Sequence, residues 1–299
     1  YNKKKSSEIS NPSLSSKPRN QVTQSQLQTS TLHPIDINND NNTYGSNFRD
    51  VRGTERKATE KYRGVEYIIN REGCVTDMPT IDHGPHIVPP PPGPVTLVCC
   101  NTTKGPLSIA VHRAWAPIGA DNFINMVESH FFSSEVPLFR ALKGFLVQFG
   151  ISGDPDVQQE YERRMRRGKG FLEDDPHWLP LGPPGREING SYRFQKGYMA
   201  YAGGGKNSRG TQLIMAFDRN MYLGGGSPWE VPWGQVVGPN SLQTLDSIYT
   251  GYHEKPSQGK IRNRGKSYTM LEFPKLDYMT SCNVIRRNVP WVYKPLKTS

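Results

Sequence analysis

The chain has 299 residues, 34% of them hydrophobic and 21% charged, with a formal net charge of +10 at neutral pH and a pI near 9.4. That charge permits weak attraction to nucleic acid, anionic membranes or acidic proteins, but the basic clusters at 3–5 and 163–169 carry no interleaved aromatic rings that could stack on bases. They read as solvated surface, so no specific nucleic-acid partner is expected, and the absence of a run of ~18 apolar residues means that no segment of this chain spans a membrane.

In chain order, residues 1–62 are dominated by Ser, Asn, Gln, Thr and Lys. They hold too few apolar side chains to offset the entropy of ordering them, and are expected to form a disordered tail. Residues 63–93 read as a linker, with one short strand in RGVEYIINREGCV, 63–75. The proline run IVPPPPGPV, 87–95, cannot donate to a sheet and reads as a stiff extended spacer. The folded domain is expected over 94–295, enough chain for one well-formed core.

Within it, TLVCCNTT and PLSIAVHR flank a Lys104-Gly105 turn, a hairpin signal. A helix follows. Pro117 suits its first turn, and Ala120, Phe123, Met126 and Val127 recur at helical spacing. Residues 137–149 read as a second hairpin turning at 142–144, and 197–202 and 211–217 as two more strands. The segment 233–238 reads as a strand entering a second helix at 242–250, and LDYMTSCNVIRR as a closing strand. Residues 155–193, rich in Arg, Gly and Pro, are expected to form a long loop. The four cysteines, Cys74, Cys99, Cys100 and Cys282, lack the paired short spacings of a zinc site; no metal is implied, and they read as small buried apolar side chains. The chain begins with Tyr1 and carries sequons at Asn41, Asn101 and Asn189, which favours a secretory-pathway lumen or an organelle over the cytoplasm.

The segment most suggestive of chemistry is PLFRALKGFLVQFGISGDP, 137–155. Arg140 stands in an apolar strand-like run, five residues before Phe145 and eight before Gln148. A guanidinium beside apolar side chains is costly to desolvate unless its hydrogen bonds are needed there.

These residues resemble the cyclophilin family of peptidyl-prolyl isomerases. Where that family reads roughly F-H-R-x-x-x-G-F-x-x-Q-x-G, this chain has Leu138, Phe139, Arg140, Gly144, Phe145, Gln148 and Gly150. Where it reads A-N-x-G-x-x-x-x-G-S-Q-F-F, the chain has Ala202, Gly203, Gly205, Gly210, Thr211, Gln212, Leu213 and Ile214. With 102–128, these make three ordered blocks within about 94–290. The resemblance implies a mainly β fold: a closed antiparallel eight-stranded barrel capped by two helices, which the pattern of short strands also suggests. It implies isomerase activity on X-Pro bonds of flexible protein segments, with no cofactor. Arg140 and Gln148 would be the catalytic pair. Phe145, Leu146, Ile214 and Leu223 would line a proline socket, and Ala202, Gly203, Gln212 and Tyr222 would complete the substrate-binding wall. The family's last strand lies beside its first, which would bring Cys282 near Cys99 or Cys100 as an alternative to free thiols.

The chain departs from the family at Phe139, Leu146 and Ile214, which stand for His, Met and Phe, and at Gly203, which stands for Asn. Tyr222 replaces a tryptophan, the inserted GSPWEVPWG follows, and the usual histidine has no clear counterpart, Glu230 being nearest. The altered rim keeps a second reading open: a binding or scaffold module for proline segments, held in a larger protein assembly and with little turnover.

Overall fold

The computed structural model describes residues 58–62, 65–79, 81–82, 93–168, 171–175, 194–218, 223, 228–290 and 293–294. A small N-terminal sheet comprises β1 (Ala58–Tyr62), β2 (Val65–Ile69) and β3 (Val75–Asp77), while β4 (Ile81–Asp82) pairs in parallel with β14 (Tyr293–Lys294). The main sheet holds β5 (Val95–Thr102), β6 (Gly105–Val111), β7 (Val136–Pro137), β8 (Arg140–Leu142) and β9 (Leu146–Phe149). It is completed by β10 (Tyr198–Tyr201), β11 (Leu213–Ala216), β12 (Gly234–Val237) and β13 (Tyr278–Val289). The helices among the described residues are α1 (Pro117–Glu128), α2 (Pro155–Gly168), α3 (Pro239–Ser247) and α4 (Gln258–Glu272).

The main sheet is antiparallel, in the order β7-β13-β5-β6-β12-β10-β11-β9-β8. It curls as a half-barrel of nine strands rather than closing on eight. The reason lies at its two ends. β7 and β8 follow one another along the chain instead of lying side by side: β7 pairs with β13, and the outer edge of β8 is taken by another segment, Ala141 N–H donating to His253 O at 3.2 Å. A two-residue strand containing Pro137 offers little to pair with, and the occupied edge of β8 no longer needs it.

The long apolar runs of β5 and β6 reflect burial on both faces. Val98, Cys100, Leu107, Ile109 and Val111 face the main core, where α1 buries Ala120, Phe123, Met126 and Val127. On the other face, Val95, Leu97 and Ala110 pack with Val75 of β3, in the N-terminal sheet, and with Met78 just beyond that strand. The backbone N–H of Val75 donates to Ser108 Oγ at 2.8 Å, tying that sheet down. Two disulfides follow the same alternation: Cys100 bonds Cys282 directly across the β5–β13 ladder, and Cys99 bonds Cys74 on the outer side.

Several expectations are corrected. Residues 58–62, assigned to the tail, form β1; residues 1–57 and most of the proline run lie outside the described residues. The expected loop from 155 begins as α2, whose Val157 and Tyr161 pack against the main core. The second expected helix starts three residues early, with Pro239 in its first turn. α4 was not anticipated. It kinks at Gly265, whose φ of 56° suits glycine and where a Cβ would come within 2.1 Å of Gly153 O. Its Ile261 and Tyr268 join Phe139, Ile151, Phe273, Leu276 and Tyr278 in a third apolar cluster, beside the strand that carries Arg140.

Candidate functional site

β8 and β9 form a tight hairpin in which Arg140 lies directly opposite Gln148, and on the next strand Gln148 lies opposite Ile214. Directly opposed residues of antiparallel strands share a face, so the eight-residue interval in the sequence becomes a cross-strand row. Leu146, opposite both Leu142 and Ala216, stands on the same face two residues away.

Polar side chains continue this row as a chain of hydrogen bonds. Arg140 Nη1 donates to Gln148 Oε1 at 3.4 Å, Gln148 Nε2 to Gln212 Oε1 at 2.8 Å, and Gln212 Nε2 to Gln258 Oε1 at 3.1 Å. At the other end, Arg140 Nε donates to Glu254 Oε1 at 2.6 Å. Gln148 is buried and the Arg140 side chain is 28% exposed, so the guanidinium sits at the boundary between core and solvent. Glu254 and Gln258 have no counterpart in the sequence reading. They lie more than 100 residues from Arg140, and only the tertiary fold brings them to it.

The apolar residues expected to form a socket are placed as follows. Leu146, Ile214 and Leu223 are buried in the main core, and Phe145 packs half-buried against it, accepting a backbone hydrogen bond from Phe217 at 3.0 Å. Ala202 N–H donates to Gln212 O at 3.0 Å, extending the β10–β11 ladder to the edge of the glycine-rich segment. Tyr222 lies outside the described residues. Gly203 has a physical reason that the sequence did not supply. The Trp229 indole lies against it, and a Cβ there would fall 2.6 Å from Trp229 Cδ1.

A buried ion pair fixes the glycine-rich segment from behind. Arg209 Nη1 donates to Asp175 Oδ2 at 2.7 Å with both side chains fully buried, and Arg209 Nη2 donates to Glu173 O. Asp175 also accepts from the first free N–H groups of α1, those of Ile118 at 2.7 Å and Gly119 at 3.0 Å, a favourable place for a carboxylate. Tyr201, whose phenol burial pushes well above its usual pKa, donates to Gly119 O at 2.9 Å and accepts from Asn122 at 3.0 Å. Beside Gln212, a cavity of about 280 Å³ opens between the glycine-rich segment, α2 and α4, lined by Ala202, Gln212, Glu162, Met165, Phe171 and Arg262. Arg262 and Glu162 pair across it at 3.3 Å.

The arrangement offers a fixed multidentate cation next to apolar side chains. Comparison with known proteins agrees with the motif resemblance. The family described as cyclophilin type peptidyl-prolyl cis-trans isomerase matches residues 97–265. Two curated relatives are both named peptidyl-prolyl cis-trans isomerase-like 3. The one from Neurospora crassa is 28% identical over 152 residues, covering 50% of this chain and 81% of the relative. The one from Gibberella zeae is 24% identical over 149 residues, covering 50% and 80%. Among solved structures, a Cryptosporidium parvum cyclophilin type peptidyl-prolyl cis-trans isomerase, determined in the presence of the dipeptide Ala-Pro, is similar at 18% identity with a TM-score of 0.41, covering 63% of this chain and 98% of that one. A cyclophilin from Hirschia baltica is similar at 16% identity with a TM-score of 0.39, covering 63% and 73%. With its family model matched over more than half its length, the chain belongs to the cyclophilin-type peptidyl-prolyl cis-trans isomerase family.

Proposed function

We propose that the protein catalyses cis-trans isomerisation of X-Pro bonds in flexible protein segments. Rotation about such a bond must give up amide resonance, a barrier of about 18–20 kcal/mol. In the twisted transition state the prolyl nitrogen turns pyramidal and regains a lone pair. A donor placed to meet that lone pair binds the transition state and not the planar ground state, which is what lowers the barrier.

In this reading Arg140 is that donor, with a permanent charge and several N–H groups in a rigid fork. Gln148, sharing the row, holds the substrate carbonyl. Phe145, Leu146, Ile214 and Leu223 receive the proline ring, and Ala202, Gly203, Gln212 and Tyr222 bind the flanking peptide. The chemistry requires no nucleophile, metal or organic cofactor. The observation that carries the proposal is the registered pairing of Arg140 with Gln148, one strand from Ile214.

The test is isomerisation of a short X-Pro peptide followed by NMR exchange. The native chain is expected to accelerate exchange, and Arg140→Ala to reduce kcat/KM on the order of 10²–10³-fold, as for loss of a transition-state donor. Exchange no faster than the free peptide with the native chain would sink the enzyme reading.

A second reading is favoured by one observation. Trp229 lies against the backbone at Gly203, where a substrate peptide would approach. A scaffold module of a larger assembly would then bind proline segments without turning them over, giving peptide binding with unaccelerated exchange. For the compartment, we infer an oxidising lumen or organelle, which the two disulfides support.

A further inference from the structure

The segment from Tyr252 to Gln258 runs past β8 and touches the polar row at both ends. Glu254 accepts from Arg140 Nε at 2.6 Å, and Gln258 Oε1 accepts from Gln212 Nε2 at 3.1 Å. Between them Pro256 is buried. The segment is itself held in place. Ala141, the residue after Arg140, donates its N–H to His253 O at 3.2 Å, His253 N–H reaches back to Thr250 O at 3.1 Å, and Lys255 N–H donates to Tyr252 O at 3.0 Å. At the far end Ser257 N–H donates to Tyr268 Oη at 3.0 Å, and its hydroxyl caps α4.

His253 adopts a φ of 53°, in the left-handed region. A non-glycine residue persists there when its surroundings over-determine it. Here the surroundings are the bridge to Ala141 on one side and the turn hydrogen bonds on the other. The next residue is Glu254. Reversing the chain at His253 is therefore what turns the Glu254 carboxylate onto the edge of β8.

A guanidinium on a long side chain rotates freely unless something fixes its plane. Arg140 is held at Nε by Glu254 and at Nη1 by Gln148, two contacts from opposite sides of the row. Together they define the plane of the fork and direct its remaining N–H groups.

We propose that Glu254 is a positioning residue, and that the 252–258 segment is a strap which presents it. The proposal rests on the isomerase reading for its kinetic consequence, but not for its structural one. Glu254 need not touch the substrate; it acts by reducing the orientational freedom of Arg140 before the peptide arrives.

The experiment combines two readouts on the full chain. The first is the Arg140 Nε–Hε signal in ¹H–¹⁵N spectra, identified by its absence from Arg140→Lys. The second is kcat and KM for an X-Pro peptide. Glu254→Ala is expected to lose the slowly exchanging Arg140 signal and to lower kcat ~10-fold with little change in KM. Glu254→Gln, whose amide oxygen still accepts from Nε, is expected to restore most of both. An Arg140 signal unaltered in Glu254→Ala would overturn the proposal, and so would a kcat equal to or above the native value. A native chain without turnover whose Arg140 signal still depends on Glu254 would remove the isomerase reading and uphold the anchoring.

Discussion

Cys99 and Cys100 are neighbours on β5 whose sulfurs leave the sheet on opposite faces, one bonded to Cys74 and the other to Cys282. The first bond spans 25 residues and pins the N-terminal sheet; the second spans 182 and locks the two longest paired strands together. By chain entropy the longer loop contributes more, about 5 kcal/mol against roughly 3–4. Chemical denaturation should therefore show a larger loss for Cys282→Ser than for Cys74→Ser. Hydrogen exchange should show Cys74→Ser loosening residues 65–79 while the main sheet stays protected. Four alkylatable thiols under non-reducing conditions would contradict both pairings.

The fully buried Arg209–Asp175 pair predicts an asymmetric mutational response. Asp175→Ala leaves the buried Arg209 guanidinium with only Glu173 O and the more distant Asp174 carboxylate at 3.9 Å, and removes the acceptor of two α1 N–H groups, so a loss of about 3–5 kcal/mol is expected in urea unfolding. Asp175→Ala combined with Arg209→Met removes both charges and should recover part of that loss. A double variant as unstable as the sum of the two singles would argue against coupling.

His112 gives a pH prediction. It is buried and stacks on Trp115 at 3.7 Å, and burial pushes its pKa down from 6.5 to about 3. The unfolded chain thus takes up a proton near pH 6.5 that the native state refuses until about pH 3. The stabilisation is complete above pH 6.5 and is lost as the pH falls toward 3, by at most about 1.4 kcal/mol per pH unit. Unfolding curves at pH 7, 5.5 and 4.5 should show a shallower acid decline for His112→Gln than for the native chain. Parallel declines would assign the acid sensitivity to other groups.

Much of the sheet could be read from local pattern because local pattern is what made it. The β5–β6 turn at Lys104-Gly105, the proline-led α1 and the hairpin around 142–144 are all specified by residues close in sequence. The same locality made the Arg140–Gln148 pair legible, since its spacing is set within one hairpin. The helices that were missed have local reasons to be missed. α2 shows one apolar residue per turn among many charges, and Gly265 interrupts α4 at its centre. Glu254, Gln258 and Asp175 were invisible for a different reason. Each reaches its partner from a distant segment, and nothing in its own neighbourhood marks it as a site residue; Trp229 and Arg209 stand in segments the sequence singled out, but their contacts appear only in the fold.

Because β13 supplies the neighbour of β5, the earliest long strand of the main sheet has no lasting partner on that side until residues 278–289 have left the ribosome. Until then one edge of β5 and an unpaired thiol at Cys100 stay available to other chains, and the final acquisition of structure is a slow, long-range event that calls for shielding from neighbours.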